Sequence, residues 1–111
     1  TNSSDYDIAN VIYIILKNNF RYIENNVWEY LEDNKWYIDK KNDKLKHAIK
    51  TIVCKEFIER SIFWAKKTET VNSKSDIISS KLLFIGTKLK EDKYISNIIK
   101  ECKQFFINNE Y

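Results

Sequence analysis

At 111 residues the chain has room for one domain and not for two ordinary ones. With 43% apolar and 32% charged residues its composition is globular, not disordered. Its single Gly excludes a Gly-rich phosphate loop, its single His excludes sites built on two histidines, and a formal charge of +3 leaves it mildly basic.

Ser3, Ser4 and Asp5 offer N-caps for a first helix whose apolar face is Ile8, Val11, Ile12, Ile15 and Leu16, ending near Asn18-Asn19. From Phe20 to Asp39 the pattern changes to short aromatic and β-branched runs, 20–23, 27–31 and 35–38. They are separated by Glu24-Asn25-Asn26 and Glu32-Asp33-Asn34, residues that tolerate the left-handed backbone of tight turns. This predicts a three-stranded antiparallel meander. Trp28 and Tyr30 alternate with Val27, Glu29 and Leu31, so one face carries rings, and Trp28 and Trp36 are expected in the core.

Residues 43–68 read as one long helix with two apolar stripes, Leu45, Ile49, Ile52 and Phe63 beside Val53, Phe57 and Trp64, which makes it the hub of the packing. Thr68 to Ser75 is polar and reads as a loop. A third helix is expected over Asp76–Lys90, capped by Ser75, with Ile78, Leu82, Ile85 and Leu89 inward. The last helix follows a turn at Glu91-Asp92, with Asp92 as its cap and Ile95, Ile98, Ile99, Cys102, Phe105 and Phe106 as its stripe. The fold class is therefore α+β, mostly α, with about four helices and a small meander after the first.

Lys, Ile, Asn, Tyr and Phe supply 59 of the 111 residues, whereas Ala, Gly, Pro and Arg supply six, the residue usage of an AT-rich genome. No Met is present, as expected of a segment of a longer protein. Cys54 and Cys102, without a CxxC pattern or a second His, are expected to be buried free thiols, not zinc ligands. The longest apolar run, Val11 to Leu16, is far short of the roughly 20 residues of a membrane span. No signal-peptide pattern opens the chain, and an intracellular setting is expected.

Catalytic constellations are absent from the pattern. Gly86-Thr87-Lys88 lacks the first Gly of a phosphate loop. The pairs Glu56/Glu59 and Asp39/Asp43 are expected to be solvated or paired with neighbouring cations, and His47 has no partner motif. An autonomous enzyme is not expected.

Charge is unevenly spread. Residues 1–39 hold three basic and seven acidic side chains, and residues 40–111 hold 16 and nine. Lys44, Lys55 and Lys66 are 11 residues apart, which on an uninterrupted helix is nearly one line with steps of roughly 16 Å. With Lys40, Lys41, Lys46 and Lys50 they form either a solvated face or a track for a phosphate backbone. Tyr30 and Tyr37 either stack on unpaired bases or help close the core.

Several segments in order also resemble a known family. Asp7-Ile8-Ala9-Asn10-Val11-Ile12-Tyr13, Asn26-Val27-Trp28-Glu29-Tyr30 and Asn34-Lys35-Trp36 open the match. Lys81-Leu82-Leu83, Leu89-Lys90, the run Tyr94 to Cys102, and Phe105-Phe106 close it. Together they resemble the domain preceding the superfamily 3 ATPase in poxvirus-type primase–helicases of nucleocytoplasmic large DNA viruses, over about residues 5–111. The resemblance implies that residues 1–111 are a single accessory domain, a collar or linker without catalytic residues, in a DNA-replication protein of the host cytoplasm. The parent would be a homo-oligomer, in this family a hexamer, that contacts single-stranded or forked DNA. It would use ATP and Mg2+ in motifs outside this segment.

Overall fold

The computed structural model describes residues 4–67 and 73–107. Helix α1 spans Asp5–Leu16 and is capped by Ser4, whose hydroxyl accepts from the Asp7 N–H at 3.2 Å and donates to the Asp7 carboxylate at 3.0 Å. Asp5 and Asp7 add negative charge at the positive end of the helix. Ile8, Ala9, Ile12 and Leu16 are buried, while Val11 and Ile15 flank them half-buried.

Strands β1 (Phe20–Tyr22), β2 (Trp28–Glu32) and β3 (Lys35–Ile38) form the antiparallel meander, in the order β1-β2-β3. Asn25-Asn26 and Asp33-Asn34 are both in the left-handed region, the two-residue turns that match the twist of a hairpin. The pairings Phe20↔Tyr30, Tyr22↔Trp28 and Tyr30↔Tyr37 put these rings on one face. Trp28 is 1% exposed, held between Tyr22 and Phe106 with ring centroids 5.2 Å from each. Trp36 departs from its expected core position. It opposes Leu31 on the other face, half-buried, with the Arg21 guanidinium 4.1 Å above its ring and Arg21 paired to Glu29 at 2.7 Å.

After β3 the chain makes a tight turn at Lys40–Asn42, where Lys41 and Asn42 form a third left-handed pair. Asp39 is the reason it holds. Its buried carboxylate accepts the backbone N–H groups of Lys44 at 2.8 Å and Leu45 at 2.9 Å. Asp39 is thus a helix cap, not the solvated acid expected from sequence.

The long helix is continuous but not uniform: α2 (Asp43–Ala48), a π turn (Ile49–Val53) and α3 (Cys54–Lys67). In the π turn the Cys54 N–H donates to the Ile49 carbonyl, and Thr51 Oγ1 donates to the His47 carbonyl at 2.8 Å, competing with the α-helical ladder. Such a turn winds roughly 80° per residue instead of 100°, so five residues lag by roughly a quarter turn. The buried row therefore runs Leu45, Ile49, Val53, Phe57, Ser61. Ile52 and Phe63, expected beside Leu45 on a uniform helix, are 53% and 52% exposed instead.

Helix α4 spans Ser73–Lys88 and starts earlier than the sequence suggests, so Ser75 is an interior, buried residue and not its cap. The polar loop expected at Thr68–Ser75 lies outside the described residues over 68–72. Helix α5 (Asp92–Phe106) buries the expected stripe, Ile95, Ile98, Ile99, Cys102 and Phe106. Its N-cap is Glu91, without a side-chain bond, and Asp92 pairs with Lys50. Both cysteines are buried free thiols.

Helix α1 packs on α5, the sheet closes one end through Trp28 and Phe106, and α3 and α4 pack chiefly on each other. The molecule measures 47 × 26 × 22 Å, and its radius of gyration of 15.2 Å exceeds the roughly 13 Å of a compact chain this long. No helix among the described residues is long and apolar enough to cross a membrane.

Candidate functional site

The α3–α4 hairpin is built from small residues inward. Ser61 Oγ donates to the Ser79 carbonyl at 2.9 Å, and Ser79 Oγ donates to the Ser61 carbonyl at 2.8 Å, so the two hydroxyls stitch the backbones together. Cys54 Sγ donates to the Gly86 carbonyl at 3.1 Å. A Cβ on Gly86 would lie 3.0 Å from Ile58 Cγ1, so the absence of a side chain is what lets the helices approach here. Phe57 and Ile85 are buried, but several large apolar side chains face out: Ile62 and Phe63 on α3, and Ile77, Leu83 and Phe84 on α4.

Beside these ridges lies an apolar groove of about 460 Å3 between α1, α3 and α4, with Val11, Ile15, Phe57, Trp64, Ile78 and Leu82 in its walls. At 100° per residue, Ile62 and Leu83 fall on the side of the hairpin turned away from this groove. One chain therefore carries an apolar hollow on one side and apolar knobs on another.

The sequence-selected cations scatter over three places. Lys40 and Lys41 are exposed on the turn before α2, and Lys44 lies 5.3 Å above the Tyr30 ring. Tyr30 stacks on Tyr37 with centroids 5.6 Å apart and planes 27° apart, and Tyr37 is exposed. This end of the sheet thus brings Lys44, Tyr30 and Tyr37 into one patch. Lys46 instead lines a cleft against α5, and Lys50 is paired with Asp92, which holds that carboxyl below the usual carboxylate range.

Lys55 and Lys66 are exposed on α3, with Lys55 4.0 Å from Glu59. The π turn between Lys44 and Lys55 breaks the expected line of three lysines, leaving only Lys55 and Lys66 in phase. Glu56 and Glu59 are paired with Arg60 and Lys55, as an ordinary helix surface requires. Gly86-Thr87-Lys88 lies inside α4.

Two features escape a reading by motif. On α5, Lys100 and Lys103 share a face with Ser96 and line the cleft that also contains Lys46 and Trp28. The Trp28 Nε1–H is the buried side-chain donor without a hydrogen-bond partner among the described residues, a condition that costs about 1–3 kcal/mol. Only the i, i+4, i+7 spacing of Ser96, Lys100 and Lys103 signals this face in the sequence. Elsewhere on α5, Tyr94 donates to Asp5 at 3.2 Å, and burial together with that carboxylate pushes its phenol up.

Among the described residues no group of three or more His, Cys, Asp or Glu side chains is placed to hold a metal ion. No family model matches the chain, and no curated protein or solved structure matches it.

Proposed function

We propose that this chain is a non-catalytic assembly domain of a viral DNA-replication primase–helicase, joining copies through its α3–α4 hairpin and contacting DNA at the tyrosine end of its sheet. The observation that carries the assembly half is the close-packed hairpin, with Ser61, Ser79 and Gly86 where its helices meet and Ile62, Phe63, Leu83 and Phe84 left exposed. Large apolar groups gathered on one exposed element favour a protein partner over solvent. The occupant is a second copy of the same chain, because the Ile62 and Leu83 knobs and the groove lie on different sides of one molecule. Such a head-to-tail contact closes into a ring when its rotation permits.

The DNA half is supported by the Tyr30–Tyr37 stack under Lys44, which offers a ring surface to an unpaired base and a cation to its phosphate. Lys40 and Lys41 extend that charge along the adjoining turn. On this reading the parent protein uses ATP and Mg2+ outside these residues and works in the host cytoplasm, as the resemblance of the chain to the primase–helicase domain implies.

Light scattering on the chain over a micromolar concentration series tests the assembly half. A mass that rises with concentration and falls back in Ile62→Ser/Leu83→Ser is the expected result, and a monomer throughout overturns it. Fluorescence anisotropy with single-stranded, duplex and forked DNA across a salt series tests the other half. Binding is expected to weaken with salt, to prefer unpaired strands, and to fall about fivefold or more in Tyr37→Ala. Equal affinity for Tyr37→Ala and the parent chain removes the stacking role.

A further inference from the structure

A cleft of about 220 Å3 lies where the β1–β2 turn, the start of α2 and the middle of α5 meet. Three lysines line it, Lys46 from α2 and Lys100 and Lys103 from α5, with Ser96 on the same α5 face and no carboxylate among the lining residues. Lys103 donates to Asn26 Oδ1 and so bridges two walls. Asp92, the acid whose titration Lys46 influences, is already paired with Lys50. Three cations gathered without an anion repel one another, and that repulsion is relieved when an anion enters.

Trp28 supplies a reporter in the wall of the cleft. It forms part of the lining, is 1% exposed, and its Nε1–H has no partner among the described residues. Its ring is wedged between Tyr22 and Phe106, so it cannot turn to find one within the core. The N–H is sealed from the cleft, so the Trp28 ring senses an occupant as a neighbour without bonding to it. The volume admits a tetrahedral oxyanion with a few waters and falls short of the roughly 300 Å3 at which drug-sized ligand pockets begin.

We propose that this cleft binds a phosphate group, held by the Lys46, Lys100 and Lys103 ammonium groups and the Ser96 hydroxyl, beside the Trp28 ring that forms part of its wall. Lysine serves such sites as a mobile point charge. The group comes either from free phosphate or from a nucleic-acid backbone. Only the second source depends on the DNA reading above, and neither depends on the α3–α4 hairpin.

The test uses the 15N-labelled chain and its three tryptophan indole N–H resonances, with Trp28 assigned by elimination through Trp36→Phe and Trp64→Phe. Inorganic phosphate, sodium chloride at matched ionic strength, and a short single-stranded oligonucleotide are titrated separately. The expected result is a saturable shift of the Trp28 resonance with phosphate and not with chloride, weakened at least about tenfold in Lys100→Glu and in Lys100→Ala. Lys100 is exposed, so both variants keep the fold. Saturation by the oligonucleotide and not by inorganic phosphate supports the site and assigns its phosphate to a backbone. A Trp28 resonance that drifts equally with chloride, or that responds unchanged in the Lys100 variants, overturns the proposal.

Discussion

In the half of the molecule made by α1, the sheet and α5, large side chains point inward: Trp28, Phe106, Ile12 and Ile98 are all fully buried. Across the π turn the α3–α4 hairpin buries Phe57 and Ile85, but it also has Ser61, Ser75, Ser79 and Gly86 among its inner residues and presents Ile62, Phe63, Leu83 and Phe84. Both regions are amphipathic and helical, so periodicity alone does not separate them. What separates them is the share of small side chains on the inner face. Bulky inner residues make a self-sufficient core, while small inner residues bring two backbones close and leave the bulky ones for another surface.

The comparison is broken most forcefully from the bulky side. Trp28→Ala removes the ring that joins the sheet to Phe106 and is expected to cost about 3–5 kcal/mol, read as a lowered urea midpoint at unchanged slope. A loss below about 1 kcal/mol would mean the sheet end is no more a core than the hairpin is.

Cys102 probes the same core by chemistry. Burial first, and Glu101 second, push its thiol up to about 12 from an ordinary 9.0. Thiolate is the reactive form, so at pH 8 native Cys102 is expected to react with a thiol reagent roughly a thousandfold more slowly than in the unfolded chain. The sign for stability follows from the raised value. The thiol form favours the fold below the ordinary pKa, and that contribution is lost as pH rises from about 9 towards about 12. Rapid labelling in native buffer, at the rate of the unfolded chain, would show that the α5 core opens far more readily than its packing implies.

From the hairpin side, Ser61→Leu forces a branched side chain between backbones that the Ser61–Ser79 bonds hold together. The expected cost is about 1–3 kcal/mol, measured by urea melts. Stabilisation by the added apolar surface would refute the close-packing account.

How much of this was legible beforehand tracks how local each cause is. Asn25-Asn26 and Asp33-Asn34 announce their turns because left-handed backbone suits those residues, and the α5 stripe announces itself because nothing interrupts it. The π turn at Ile49–Val53 has no comparably firm local mark, yet it rotates everything after it. That one turn explains why Ile52 and Phe63 are exposed and why Lys44 leaves the line of Lys55 and Lys66. Asp39 looks like a surface acid until its two backbone donors are brought round by the Lys41-Asn42 turn. Of the nucleic-acid candidates, Lys44, Tyr30 and Tyr37 converge because β2 and β3 pair in the register the turn sets. The Lys100 and Lys103 face gains meaning only when α5 is docked beside Trp28.

The smallest expected effect on stability bears most directly on what the hairpin is for. Ile62 is 51% and Leu83 49% exposed, so replacing both with Ser trims groups that keep much of their contact with water. Exposed substitutions of this kind change stability by about 0.5 kcal/mol or less each. If the two residues serve only the chain that carries them, the double variant should match the parent chain in mass and in melting. If they are the knobs of a head-to-tail contact, the melt of the isolated fold stays put while the concentration-dependent mass disappears. Mixing supplies the deciding step, because the double variant keeps its groove. It should still accept the intact knobs of a parent chain while offering none itself, and so cap growing assemblies at sub-stoichiometric amounts. A symmetric contact, in which the same patch meets itself, would lack this capping behaviour, since the variant would then be excluded from every interface.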